Sequence, residues 1–107
     1  MSALYQARVA VERDLGPAYA DVLSPALEHR RWWVEQWADG EPFLLCLLAQ
    51  DVQEAVHERD PNWPRCVEAT CPQAGAHALT VEPDLGTDPF WVCHTTGLPV
   101  APVGSLP

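Results

Sequence analysis

Apolar residues recur at Leu4, Ala7, Val11 and Leu15, spacings of three and four that place them along one face of a helix over residues 3–15. Ser2 stands where an N-cap belongs. Gly16-Pro17 closes the segment, because glycine relieves the last turn and proline cannot extend it. Residues 17–23, with Ala18, Ala20, Val22 and Leu23, predict a short helix. Ser24-Pro25 predicts the start of a longer one, with Ser24 as cap and Pro25 at the first helical position, where its missing donor costs nothing. This second helix runs to about Ala38, ahead of Asp39-Gly40, with Leu27, Val34, Trp37 and Ala38 inward and Trp33 stacked on Trp37 one turn away. Trp32 falls among Glu28, Glu35 and Gln36 on the polar face, so either another element covers it or it anchors a partner.

A third helix is predicted from Glu41-Pro42 through residue 58. Its first half, Phe43 to Ala49, is apolar almost all round and calls for cover from the other helices or from a second subunit. Val52, Ala55 and Val56 carry the inward face onward, and Cys46 reads as a small buried hydrophobe. Asp60-Pro61-Asn62-Trp63-Pro64 is a turn-rich boundary beyond which the helical period disappears. Ala78–Val81, Phe90–Val92 and Leu98–Val103 read as short strands, which Trp63, Phe90 and Trp91 are expected to pack onto the helices. The expected fold class is therefore α+β: a three-helix unit over residues 1–60 and a small antiparallel β tail over residues 61–107.

Composition narrows the function classes. With 48% hydrophobic residues among 107, the chain can form a modest core. Fifteen acidic residues against six basic ones give a net charge of -9, and every basic residue is arginine. Such a field repels phosphate backbones and anionic lipid, so nucleic acid and membranes are not the expected partners. The absence of lysine and isoleucine fits a GC-rich, bacterial or phage genome. The first residues carry Glu12 and Asp14 and no continuous apolar run, so the expected compartment is the cytoplasm. In that reducing setting the four cysteines read as ligands or core thiols rather than disulfides.

Cys66, Cys71, His77 and Cys93 concentrate the soft-ligand chemistry in the tail. Thiolate and imidazole are the ligands a borderline-soft divalent ion prefers, and a tetrahedral site needs two local ligand groups on facing loops. The tail has few large apolar residues and is expected to take its rigidity from such an ion. Three readings of the cluster follow: a structural zinc site, a metal-free remnant with buried or oxidised thiols, and a catalytic zinc with an open position. The third has only Glu68 and Glu82 to offer as general bases.

Cys71-Pro72-Gln73-Ala74-Gly75 and Cys93-His94-Thr95-Thr96-Gly97 each resemble the zinc knuckle of rubredoxin-like zinc ribbons, where a cysteine opens a tight turn, a second stands three residues on, and glycine follows. Ala74 and Thr96 occupy the second cysteine positions here, so the resemblance implies replacement ligands, with Cys66 and His77 close enough to serve the first loop. His94 adjoins Cys93 but is expected to point away from it. The second half of the chain also resembles a group of small uncharacterised proteins of GC-rich bacteria through His57, Trp63-Pro64, the Cys66 to His77 cluster, Trp91-Val92-Cys93 and the stretch from Gly97 to Gly104. That likeness implies no activity, but it makes His57 a rival ligand.

Glu54-x-x-His57 has the spacing of a di-iron half-site without the second copy such a site needs. Phosphate-loop, nucleophile-elbow and HExxH signatures are absent. The expected function is a non-enzymatic adaptor or accessory protein that associates with a protein partner or with itself and carries a zinc-dependent tail. The alternative is a small metal- or thiol-dependent enzyme of unfamiliar type.

Overall fold

Tyr5 N–H donates to the Ser2 hydroxyl at 3.1 Å, and this cap opens α1 (Ala3–Leu15) in the computed structural model, which describes residues 2–107. Ala7, Val11 and Leu15 form its buried stripe, and Gly16, at φ 71°, lets the chain leave the last turn. Pro17–Val22 is a 3-10 turn leading into α2 (Leu23–Gln36). The helix thus begins ahead of Ser24, and no side chain caps it. Pro25 is still tolerated, since the first-turn N–H groups have no helical partner to lose.

Trp37 leaves the helix at φ -140° and ψ 85°, and Ala38–Phe43 forms a second 3-10 turn. Trp37 and Ala38 are consequently exposed instead of inward, although Trp33 does meet Trp37 edge-on with ring centroids 5.2 Å apart. A Cβ at Gly40 would collide with both indoles, so the turn needs glycine there. Trp32 is 57% exposed, and among the described residues no other element covers it.

The spine is α3 (Leu44–His57), with Leu44, Cys46, Leu48, Ala49, Val52 and Val56 buried. Helices α1 and α2 and the tail cover its apolar half within the chain, so that half does not need a second subunit. A second stripe faces the tail at spacings of four, three and four. The Cys46 thiol donates to the Pro83 carbonyl at 3.1 Å, Gln50 Nε2 to Asp84 O at 2.7 Å, Gln53 Nε2 to Leu79 O at 2.7 Å, and His57 Nε2 to Trp63 O at 2.7 Å. These side chains bind backbone carbonyls that the irregular tail would otherwise leave unpaired.

The tail forms one antiparallel sheet in the order β1 (Thr80–Glu82), β2 (Phe90–Val92), β3 (Pro99–Pro102). Val81 pairs with Trp91 and Trp91 with Ala101, and a register shift follows between Trp91 and Val92. The three helices and this sheet give the α+β architecture expected from the sequence. Leu79, Val81, Trp91 and Val103 join the helical residues in one continuous core across the turn near residue 60. Phe90, expected as cover for the sheet, is instead 37% exposed.

A further tie comes from Asp14, whose side chain is 1% exposed. Its carboxylate accepts from Trp91 Nε1 at 2.8 Å, Gly104 N at 2.5 Å and Leu106 N at 3.0 Å, which fastens the last residues to the end of α1. Among the described residues no helix is long and apolar enough to cross a membrane.

Candidate metal centre

Two loops meet at the end of the sheet. The first, from Cys66 to His77, is closed on itself: Cys66 N–H donates to His77 O at 2.9 Å and Gly75 N–H to Cys66 O at 2.8 Å. Within it Cys71 opens a turn whose carbonyl accepts from Ala74 N–H at 3.3 Å, and Gly75 follows at φ 83°. The second loop repeats the device, with Gly97 N–H donating to Cys93 O at 2.8 Å and Gly97 at φ 75°. Both glycines take a left-handed conformation that is costly for a side-chain-bearing residue.

These turns bring Cys66, Cys71, His77 and Cys93 together, with all four ligand atoms within 4.8 Å of one another. The cysteines are buried and His77 partly so. His77 Nε2 stands 3.3 Å from Cys71 Sγ and 3.8 Å from Cys93 Sγ. On its other side Nδ1 donates to the Ala78 carbonyl at 2.9 Å. That bond places the proton on Nδ1 and turns the Nε2 lone pair toward the sulfurs, the tautomer and orientation that a metal-ligating imidazole uses. This Cys3His cluster can hold a metal ion.

The thiols are not equivalent. Burial pushes Cys66 up to about 11, against the pull of the Glu68 backbone N–H. Cys93 is lowered to about 6, first by the Thr96 hydroxyl and further by the Thr96 N–H, which outweigh its burial. The residue in the second cysteine position of that loop therefore supports the sulfur that remains.

Among the described residues none of the other candidates joins the group of four, although His94 lies beside it. His57 Nε2 is engaged with the Trp63 carbonyl, and since a carbonyl only accepts, that nitrogen carries the proton and offers no lone pair to an ion. His94 is exposed, its ring meeting His77 edge-on at 4.6 Å. The Glu68 carboxylate is taken up by the backbone N–H and hydroxyl of Thr70, while Glu82 is exposed on β1. Cys46 is buried at 0% exposure in the helical core.

The family described as a domain of unknown function, DUF8819, matches residues 1–103, a span that takes in all four clustered residues and the three helices. No curated protein and no solved structure matches the chain.

Proposed function

Starting from the chain's membership of the DUF8819 domain family, we propose that it is a non-enzymatic adaptor or accessory protein whose tail is fixed by a structural zinc ion held by Cys66, Cys71, His77 and Cys93. The observation that carries this reading is the fit of the donor set. Thiolates at about 2.3 Å and an imidazole at about 2.0 Å from zinc set tetrahedral edges of about 3.5–3.8 Å. The separations of 3.3 and 3.8 Å from His77 Nε2 to the two nearer sulfurs fall either side of the imidazole–thiolate edge of about 3.5 Å, and all four ligand atoms lie within 4.8 Å of one another, so a small contraction closes the set on an ion. Three thiolates and one imidazole are also among the commonest donor sets of structural zinc.

With four protein donors the tetrahedron is complete, which supports a structural role over a catalytic one, where a position is left open for water or substrate. In this reading the tail is a zinc ribbon of the rubredoxin-knuckle kind, with Cys66 and His77 supplying what Ala74 and Thr96 do not. The association role draws on the acidic surface and on exposed Trp32, and no longer on α3, which the chain itself covers.

Hydrogen exchange before and after chelation tests the proposal. Zinc removal is expected to speed exchange at the amides of Cys66, Cys71, Gly75, Cys93 and Gly97, which close the two loops, while α1 and α3 keep their protection. Exchange at those amides that does not respond to removal of bound zinc would rule out a structural ion.

A further inference from the structure

Four of the five tryptophans pack against another tryptophan of the chain, although Trp37 stays 45% exposed. Trp91 is 1% exposed, Trp63 packs edge-on against it at 5.7 Å, and Trp33 and Trp37 pack on each other, with Trp37 also stacked on Phe43 at 6.4 Å. Trp32 is spent differently. Its aromatic neighbour is His29, one turn back on the same helix at 6.3 Å, and the rest of the indole faces water.

Helical spacing fixes what surrounds it. Residues three and four away share its face, so Glu28 and Glu35 flank the ring along the axis, with His29 and Gln36 beside them, all exposed. Among the described residues neither Glu28 nor Glu35 forms an ion pair. Arg30 is bound to Asp51 at 2.6 and 2.9 Å and lies over Trp33. Arg31, three residues from Glu28 and four from Glu35, is within reach of both carboxylates, but among the described residues it forms no ion pair with either.

We propose that this face of α2 docks a basic segment of a partner protein, an arginine or lysine side chain lying over the Trp32 indole between the Glu28 and Glu35 carboxylates. The inference rests on the adaptor reading and supplies its surface and the chemistry of its partner. Indole is the strongest aromatic acceptor for a cation, and tryptophan and arginine are enriched among residues that dominate interface energy. Charge decides between occupants. A chain of net charge -9 attracts a basic partner over distance, whereas a second copy would set Glu28 and Glu35 against their own equivalents.

The test is an NMR titration of the zinc-loaded protein with a tetra-arginine peptide, the Trp32 indole N–H being assigned by its loss in Trp32→Phe. Saturable shifts at that signal and at the amides of residues 28–36 are expected, with none from a tetra-glutamate peptide. Trp32→Ala should weaken binding by about tenfold or more. Glu28→Gln combined with Glu35→Gln should weaken it too and flatten its salt dependence, in a protein whose helical signal and zinc content are unchanged. Shifts spread evenly over all acidic residues, or peptide affinity unaffected by either variant, would overturn the proposal.

Photo-crosslinking in cells, with the probe at position 32 or at exposed position 98, separates this from the broader reading. Crosslinks from position 32 that map to basic segments of a partner support the surface. Crosslinks from position 98 alone reject the surface and leave the adaptor reading standing, and none from either position rejects both.

Discussion

Two histidines of the second half differ in which nitrogen is free. His77 gives its Nδ1 proton to Ala78 and turns Nε2 to the sulfurs, whereas His57 uses Nε2 on Trp63. His77→Ala is therefore expected to abolish tight zinc binding, and His57→Gln to retain it, as followed by competition with a chromophoric chelator. The reverse pattern would move the site to the end of α3. Away from the cluster, the Tyr19 hydroxyl donates to Asp60 at 2.9 Å, raising the phenol above its ordinary value and, with help from Asn62 N–H and Arg65, lowering the carboxyl. The lowered Asp60 contributes stability that is present above about pH 4 and lost as pH falls through its folded value. The raised Tyr19 contributes stability that is present below about pH 10 and lost as pH rises through its folded value. Tyr19→Phe should accordingly be less stable than the parent by a constant amount near neutrality, with the gap narrowing at both extremes in urea melts across pH. A gap that does not vary with pH would remove the bond from the stability account.

At the scale of elements, α3 is a two-sided helix, and the sequence announced only one side. Spacing alone located the apolar face through Val52 and Val56, and the run Phe43–Ala49 showed that the helix must be covered. The donor stripe of Cys46, Gln50, Gln53 and His57 was not legible, because its partners are backbone carbonyls of a tail whose path no local pattern encodes. The start of α2 was misread at Ser24-Pro25 for a related reason: the preceding 3-10 turn runs straight into the helix and leaves no cap to form. Asp14 did leave a signal, since an acidic residue in the last turn of α1 opposes the helix dipole and calls for bonds elsewhere. Asp14→Ala would strand Trp91 Nε1 and the half-buried amides of Gly104 and Leu106, with an expected loss of about 3 kcal/mol in chemical denaturation. Leu48→Ala, at 0% exposure, should cost about 3 kcal/mol through the cavity it leaves in the spine. A near-neutral result for either would mean that the packing around it relaxes freely.

In the whole molecule the tail is anchored at two levels. Leu79, Val81, Trp91 and Val103 share the helical core and Asp14 holds the C-terminal turn, so this half depends less on an ion than its thin composition implied. The loops 66–77 and 93–97 have no such apolar anchor beyond the cysteines themselves, and there the ion is expected to matter most. The four-residue cluster was legible because thiols and imidazole are few in the chain and the knuckle glycines marked two turns; separating His77 from His57 required the fold. Chelation should thus yield a protein that keeps most of its helical circular dichroism and loses order in the two loops, rather than a fully unfolded chain. Native mass spectrometry of the protein purified without added metal tests the central claim most directly. The account predicts one zinc ion per chain, lost when Cys93 is replaced by serine and kept when Cys46 is. A metal-free parent that remains metal-free when zinc is supplied, with both loops ordered, would contradict it.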